Sequence, residues 1–317
     1  MLTVQKFGGS SLADAERIRR AAALCLKEKQ KGRDVVMVVS AMGDTTDALL
    51  ERAHALSAVP EARELDALLS TGECVSAALT AIALARMDCP ACSLAGWQCG
   101  IFTDALHGEA RIETLTAARV RSLLARGVVP VVTGFQGIDS AGDVTTLGRG
   151  GSDTTAVALA SALCAEHCDI YTDVEGIYTA DPRLLASARL LEAIDLRDML
   201  RLSYAGAQVL YAPSLELALE RGVELRLLSA SSGGEGTRVC LLRDGERPPL
   251  AGLARAGGVL TLVGREAPAA AEKMKDCLRA AGFALRHTAL SRDCAAAELA
   301  PEESVRALGV LHRAFFE

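Results

Sequence analysis

The stretch T-L-G-R-G-G-S-D-T-T-A-V-A-L-A, from Thr146 to Ala160, is a polar, glycine-rich loop that opens directly into an apolar helix. Gly148, Gly150 and Gly151 carry no Cβ, so the backbone there can come close to a ligand. Ser152 and Asp153 are placed to cap the first turn, whose amide N–H groups have no partner inside the helix. Those donors, with the helix dipole behind them, favour a phosphate or a carboxylate. Arg149 adds a planar guanidinium fork suited to either anion. A connector with an N-cap and a solvated arginine would be spelled the same way, so the loop gains meaning only from its company.

That company begins at the N-terminus. Thr3 to Phe7 reads as a short apolar strand running into Gly8-Gly9-Ser10-Ser11, and a helical pattern follows at Ile18, Ala21, Ala22, Leu24 and Cys25. Strand, Gly-Gly-Ser turn and helix form a second anion cradle with Lys6 at its edge. The lysine precedes the glycines, unlike a Walker P-loop, in which it follows them. The chain's five histidines fall in none of these patterns. A carboxylate at Glu73 follows Gly72 and reads by itself as a helix-start residue.

Composition bounds the reading. The chain has 317 residues, half of them hydrophobic, enough for one large domain and a small one. A net charge of −6 argues against a nucleic-acid partner, which wants a basic face, but not against a small anion held by a local cluster. No apolar run reads as long enough to span a bilayer, and the first ten residues lack the layout of a signal peptide. A cytoplasmic location is therefore expected, and the ten cysteines read as free thiols. Cys89 and Cys92 have metal or redox spacing without a matching second pair, so they read as small buried hydrophobes near a turn.

The remaining elements must position these loops. Asp34 to Ser40 and Val128 to Thr133 are continuous apolar runs typical of buried parallel strands. The first ends in Ser40-Ala41-Met42-Gly43-Asp44-Thr45-Thr46, the second in Gly134-Phe135-Gln136-Gly137. From Asp47 a helix presents Leu49, Leu50, Ala53 and Leu56 on one face. Glu61 to Arg86 reads as two helical stretches broken near Ser70–Glu73. Ala91 to Leu94 is a weak strand, Gly96 to Gly108 mostly loop, and Thr114 to Arg126 a helix. Cys168 to Thr172 and Val223 to Leu228 are strands, with helices near Leu196–Leu202 and Pro213–Arg221. Alternating strands and helices imply an α/β protein, a three-layer αβα sandwich with a mainly parallel sheet. Ligands bind at the carboxyl edge of such sheets, where the polar loops recur. Turn-rich Ser231–Gly236 and Asp244–Pro249 suggest a boundary between domains at 1–242 and 249–317. The tail then reads strand (Val259–Val263), helix (Ala269–Ala281), strand (Phe283–Thr288), strand (Ala295–Leu299), helix (Glu302–Phe315), a small α+β ferredoxin-like module.

Taken in order, the motifs resemble the aspartate kinase family of the amino-acid kinase superfamily. They are K-F-G-G-S-S at Lys6–Ser11, V-S-A-M-G-D-T-T-D at Val39–Asp47, S-T-G-E at Ser70–Glu73 and G-W-Q-C-G-I at Gly96–Ile101. G-F-Q-G at Gly134–Gly137, T-L-G-R-G-G-S-D-T-T-A at Thr146–Ala156 and Y-T-D-V-E-G-I-Y-T-A-D-P-R at Tyr171–Arg183 complete the set. They cover the first two thirds of the chain, and the tail resembles an ACT domain. The resemblance implies that ATP phosphorylates the side-chain carboxylate of L-aspartate to 4-phospho-L-aspartate, the step towards lysine, threonine and methionine. Related acids, or amino-acid binding without catalysis, are the alternatives.

The resemblance also implies roles. Lys6, Gly8, Gly9 and Ser10 would surround the ATP phosphates, Lys6 stabilising the transferring phosphoryl group. Thr46, Glu73, Arg149 and Ser152 match substrate positions, with Glu73 on the aspartate ammonium and Arg149 on its α-carboxylate. Asp153 would orient Lys6 or a metal. Thr172, Asp173, Tyr178 and Arg183 match nucleotide positions. ATP implies Mg²⁺ bridging its phosphates with few protein ligands. Where family members carry G-A-K-V-L-H-P-R, this chain has Gly206-Ala207-Gln208-Val209-Leu210-Tyr211-Ala212-Pro213, so Gln208 stands for the lysine near the nucleotide and Tyr211 for the histidine. The family usually ends in two ACT domains that bind lysine or threonine, and one ACT length remains here. Arg265-Glu266-Ala267-Pro268 replaces the usual acidic turn, and the effector-contacting strand is blurred at Ser291–Ala295. Weak feedback by either amino acid and a homodimer through the ACT-like module are the expectations.

Overall fold

The computed structural model describes residues 1–231, 233–243 and 245–317. Residues 232 and 244, inside the two turn-rich stretches expected to mark the boundary, lie outside the described residues. By contacts the chain forms two compact units, Met1–Val174 with Glu220–Gly234, and Glu175–Leu219 with Glu235–Glu317.

The first unit runs β1 (Leu2–Phe7), α1 (Ala15–Gln30), β2 (Asp34–Val39), α2 (Thr45–Leu56), α3 (Ala62–Arg86), β3 (Ala91–Leu94), β4 (Ile101–Thr103), β5 (Ile112–Leu115), α4 (Ala118–Leu124), β6 (Val129–Thr133), β7 (Gln136–Ile138), β8 (Val144–Thr146), α5 (Gly151–Ala162) and β9 (His167–Thr172). The chain continues through β10 (Ala193–Asp195), α6 (Leu196–Tyr204), α7 (Ala212–Arg221) and β11 (Leu225–Ser229). It ends with β12 (Thr237–Cys240), β13 (Gly252–Ala256), β14 (Val259–Val263), α8 (Ala271–Ala280), β15 (His287–Ser291), β16 (Cys294–Glu298) and α9 (Ser304–Phe316).

In the first unit β11, β9, β1, β2, β6 and β3 lie side by side, and every pair is parallel. Val35 to Val39 are fully buried, as a strand covered on both faces requires. Val35, Met37 and Val39 share a core with Ile18, Ala22 and Cys25 of α1 and Ala77 and Leu84 of α3. Val36 and Val38 point the other way, the side on which α5 runs along β1 and β9. Burying each such side chain contributes roughly 1.5–3 kcal/mol. A smaller sheet, in the order β5-β4-β7-β8, leads the chain to Thr146.

The α3 region differs from expectation. Ala62 to Arg86 is one helix of 25 residues, not two. Gly72 does not break it; a Cβ there would stand 2.8 Å from the Ala41 Cβ, so the glycine permits close approach of a loop. The helix is long and apolar enough to cross a membrane by length and composition, its best window averaging a hydropathy of 1.6. That corrects the expectation that no run reaches this length. Here α3 packs on α1, β3 and β6, with Asp66 and Glu73 buried, the setting of a core helix.

Thr114–Arg126 is not one helix: Ile112–Leu115 pairs with β4, and α4 begins only at Ala118. Ile112 and Thr114 make a two-residue alternation that suits a strand. Ser152 and Asp153 do not cap α5, because Gly150 takes the N-cap in a left-handed conformation, φ 67°. The expected apolar face of α2 is not buried; none of its residues falls in the buried class.

The second unit holds a parallel β10/β12 pair and an antiparallel sheet in the order β13-β14-β16-β15. The tail is thus ββαββα, one strand more than the pattern predicted, and the strand expected at Phe283–Thr288 lies later, at His287–Ser291. Alternation was obscured in β13 by Gly252 and the flanking alanines. Leu260, Leu262, Ala295 and Ala297 meet Met274 and Leu278 of α8 and Leu308 and Leu311 of α9. The blurred Ser291–Ala295 stretch contains the β15–β16 turn, where Asp293 adopts φ 63° and its carboxylate pairs with Arg201 and Arg247 at 3.1 Å each.

Candidate active site

Because β1, β2, β6 and β9 are parallel neighbours, their carboxyl ends share one edge, and each ends in a polar loop. The Gly8–Gly9 turn leans on the loop after β2: the Gly43 amide donates to the Gly9 carbonyl at 3.0 Å. A Cβ on Gly9 would stand 2.8 Å from the Ala41 carbonyl oxygen, so only glycine lets the two loops meet. Gly8 donates to the Tyr171 carbonyl at 3.3 Å, binding the turn to the end of β9. Ser10 is exposed beyond it.

Lys6 is the penultimate residue of β1. Its ammonium lies 2.7 Å from Asp153 Oδ1, and both side chains are 13% exposed. The contact is an ion pair lying off the hydrogen-bonding direction: Oδ1 is buried without a hydrogen-bond partner. Asp153 sits in the first turn of α5, three residues after the left-handed Gly150, so the glycine-rich loop brings it to the lysine. Ser152 is buried beside Gly134, whose missing Cβ would fall 2.5 Å from the Ser152 hydroxyl oxygen. The two glycine loops therefore converge through Lys6 and Asp153.

Glu73 reaches the same edge from α3. Its Oε1 accepts from the Ala41 amide at 2.9 Å, while Oε2 is buried with no hydrogen-bond partner. Burial pushes the carboxyl up to about 7, against the pull of backbone N–H donors. Thr46 is half-buried in the first turn of α2, just past the Ala41 loop. Arg149 is exposed, and no ion pair or hydrogen bond of its guanidinium is seen among the described residues. Thr172 donates to the Asp173 carboxylate at 3.0 Å where β9 ends. This edge thus offers a cation, glycine amides, a free guanidinium and a buried carboxylate oxygen awaiting a donor. Such a set can hold an anion next to an ammonium.

Tyr178, Arg183 and Gln208 belong to the second unit. Tyr178 donates to Glu175 at 3.0 Å, Arg183 binds Asp181 through Nε and Nη2 at 3.0 and 2.8 Å, and Gln208 is exposed. Between them Thr179 is buried and tied to His312 Nε2 at 2.8 Å and to the Arg189 amide at 3.0 Å.

The sequence pattern passed over Asp66. It is 1% exposed and lies seven residues before Glu73, on the same face of α3. Reading Ala62–Arg86 as a single helix would have aligned Asp66, Ser70 and Glu73 on one stripe. The ten cysteines are free, Cys89 among the buried ones. Among the described residues no group of three or more His, Cys, Asp or Glu side chains can hold a metal.

The sequence profile of the amino acid kinase family matches residues 1–229. The chain belongs to the amino acid kinase family. Within it, this member is similar to the aspartokinase of Geobacillus stearothermophilus, 50% identical over 238 residues, 75% of this chain and 58% of that protein. It is also similar to the crystal structure of aspartate kinase from Synechocystis, with a TM-score of 0.70 at 30% identity, over 99% of this chain and 69% of that one. The fold matches E. coli aspartokinase III in complex with aspartate and ADP, with a TM-score of 0.87 at 21% identity over the whole of both chains. This amino acid kinase spans about 58% of the length of the curated relatives it matches.

Proposed function

We propose that this chain transfers the γ-phosphoryl group of ATP to the side-chain carboxylate of L-aspartate, giving 4-phospho-L-aspartate and ADP. The single observation that carries this reading is Glu73: a buried carboxylate oxygen with no partner, beside the glycine loops. An orphaned buried acceptor is costly unless a ligand satisfies it, and an α-ammonium does so with both charge and protons. An N-acetylated amino acid lacks that ammonium. About 50% identity to curated aspartokinases over three quarters of the chain supports aspartate as the substrate.

The attacking carboxylate is already a nucleophile and needs no general base. The protein's task is alignment and the offsetting of charge on the moving phosphoryl group. In our reading Arg149 grips the α-carboxylate, with Thr46 and Ser152 alongside. Lys6, kept in place by Asp153, meets the transferring phosphoryl oxygens, and the amides at Gly8, Gly9 and Ser10 receive the other phosphate oxygens. Thr172, Asp173, Tyr178, Arg183 and Gln208 are assigned to the nucleotide by family position. Mg²⁺ would arrive on the phosphates, where it would offset their charge. We further propose residues 1–242 as the catalytic domain and 249–317 as an ACT-like domain through which a cytoplasmic homodimer forms.

The test is a hydroxamate assay with ATP and Mg²⁺, offering L-aspartate, L-glutamate and N-acetyl-L-glutamate in turn. Product from aspartate alone is the expected result. Absence of hydroxamate from aspartate, or product from the N-acetylated acid, would overturn the proposal.

A further inference from the structure

Asp66 is the most heavily engaged carboxylate at the ligand edge, yet it has no free oxygen to offer a ligand. His107 Nδ1 stands 2.9 Å from Oδ2, and the Gly108 amide donates to both oxygens at 3.0 and 3.2 Å. The Thr146 amide donates to Oδ2 at 3.0 Å and the Thr146 hydroxyl to Oδ1 at 2.5 Å. An ionised carboxylate only accepts, so Nδ1 of His107 carries the proton of that contact. All the partners belong to residues 107–108 or to Thr146, the first residue of the loop that bears Arg149.

The surroundings show what this achieves. Thr146 is gripped from its other side as well, its carbonyl accepting from the Ala110 amide at 2.9 Å. A Cβ on Gly148 would stand 3.1 Å from the Gly108 carbonyl oxygen, so the loop rests against the segment that Asp66 also holds. Leu147 donates to Phe135 at 2.8 Å, and beyond that point Arg149 projects into solvent. Asp66 and Glu73 stand two turns apart on one rigid helix. The helix that supplies the proposed ammonium acceptor therefore also holds the root of the proposed carboxylate grip.

We infer that Asp66 is a positioning residue, holding the Arg149 loop at a set distance from Glu73 so that both ends of an α-amino acid are met together. The inference rests on the aspartate-kinase reading for its kinetic consequence, but not for its structural one. Asparagine at this position keeps the size, loses acceptor sites and turns an N–H group towards N–H donors.

Two readouts test it. Losing charge-assisted hydrogen bonds at the loop root should raise KM for L-aspartate by about 10–100-fold in Asp66→Asn, with KM for ATP within about twofold of wild type. Tryptic cleavage after Arg149 should quicken by about tenfold relative to other arginine sites, since the loop is freed locally. Should Asp66→Asn not fold, Thr146→Val against Thr146→Ser decides. The valine, lacking the hydroxyl, should show both effects in weaker form, and the serine should behave as wild type. Equal rises in both KM values, cleavage after Arg149 unchanged, or serine as impaired as valine would overturn the inference. If wild type makes no hydroxamate, the aspartate-kinase reading fails, and the proteolysis comparison still decides whether Asp66 holds the loop.

Discussion

Buried carboxylates are treated differently in the two units. In the first, Glu73 Oε2 is buried near the carboxyl edge of the parallel sheet and lacks a hydrogen-bond partner. In the second, the buried carboxylates are saturated. Asp195 accepts from Arg197 Nε at 2.7 Å and Nη2 at 2.8 Å and from the Leu242 amide at 3.0 Å, and Asp198 forms a two-pronged pair with Arg247 at 2.8 and 2.5 Å. The difference separates two uses of a buried charge. In the proposed reading the incomplete shell of Glu73 is left for a ligand, whereas a complete shell holds backbone in place. Asp66 shows that the second use also occurs inside the first unit.

Breaking the comparison at its centre should give the largest effect. Lys6→Ala is expected to lower kcat by about 10³-fold, the scale of losing a donor to developing charge. Steady-state kinetics check it, and a change only in KM would remove Lys6 from the transition state. Glu73→Gln should lower kcat/KM for aspartate by about 100-fold through loss of the charged contact. The same substitution should stabilise the ligand-free protein. The folded carboxyl titrates at about 7 against an ordinary 4.5, so its favourable contribution is complete below 4.5 and lost as pH rises through 7. Glutamine has nothing to ionise, so the gain grows from near zero below pH 4.5 to about 3 kcal/mol above pH 7, read from urea melts at pH 4.5 and 8. In wild type, kcat/KM for aspartate should correspondingly fall about tenfold per pH unit below about 7.

The saturated side sharpens the contrast. Asp198→Ala leaves Arg247 buried with half its partners and should cost about 3 kcal/mol of stability, with both KM values unchanged at a temperature where the variant is folded. An altered KM for aspartate would blur the distinction between the two kinds of site. The smallest effect is expected from His312→Ala. It removes the contact that α9 makes with Thr179 and should raise KM for ATP a few-fold, about what one hydrogen bond is worth, leaving that for aspartate alone.

Much of the molecule was legible in one dimension. The continuous apolar runs at 34–40 and 128–133 announce strands covered on both faces, and strand-end glycines announce the polar loops at the carboxyl edge of the sheet. Lys6, Glu73, Arg149 and Asp153 stand out as charged residues next to glycines. Less legible were features in which one residue answers to a distant one. Gly72 looks like a helix break because its reason, the Ala41 methyl, is thirty-one residues away in sequence. Ser152 and Asp153 look like caps because local preference cannot register the lysine on β1 that engages Asp153. β13 is hidden because a strand of small residues shows little alternation until a neighbour pairs with it.

Order along the chain settled the central parallel strands and the glycine turns that follow them, because periodicity and backbone freedom act over a few residues. Whether a carboxylate is left short of a partner, like Glu73, paired with a lysine, like Asp153, or fully met, like Asp66, was decided only when strands and loops far apart in sequence packed together. Hydrogen-bond saturation and desolvation depend on every neighbour in space, and that is information no local pattern carries.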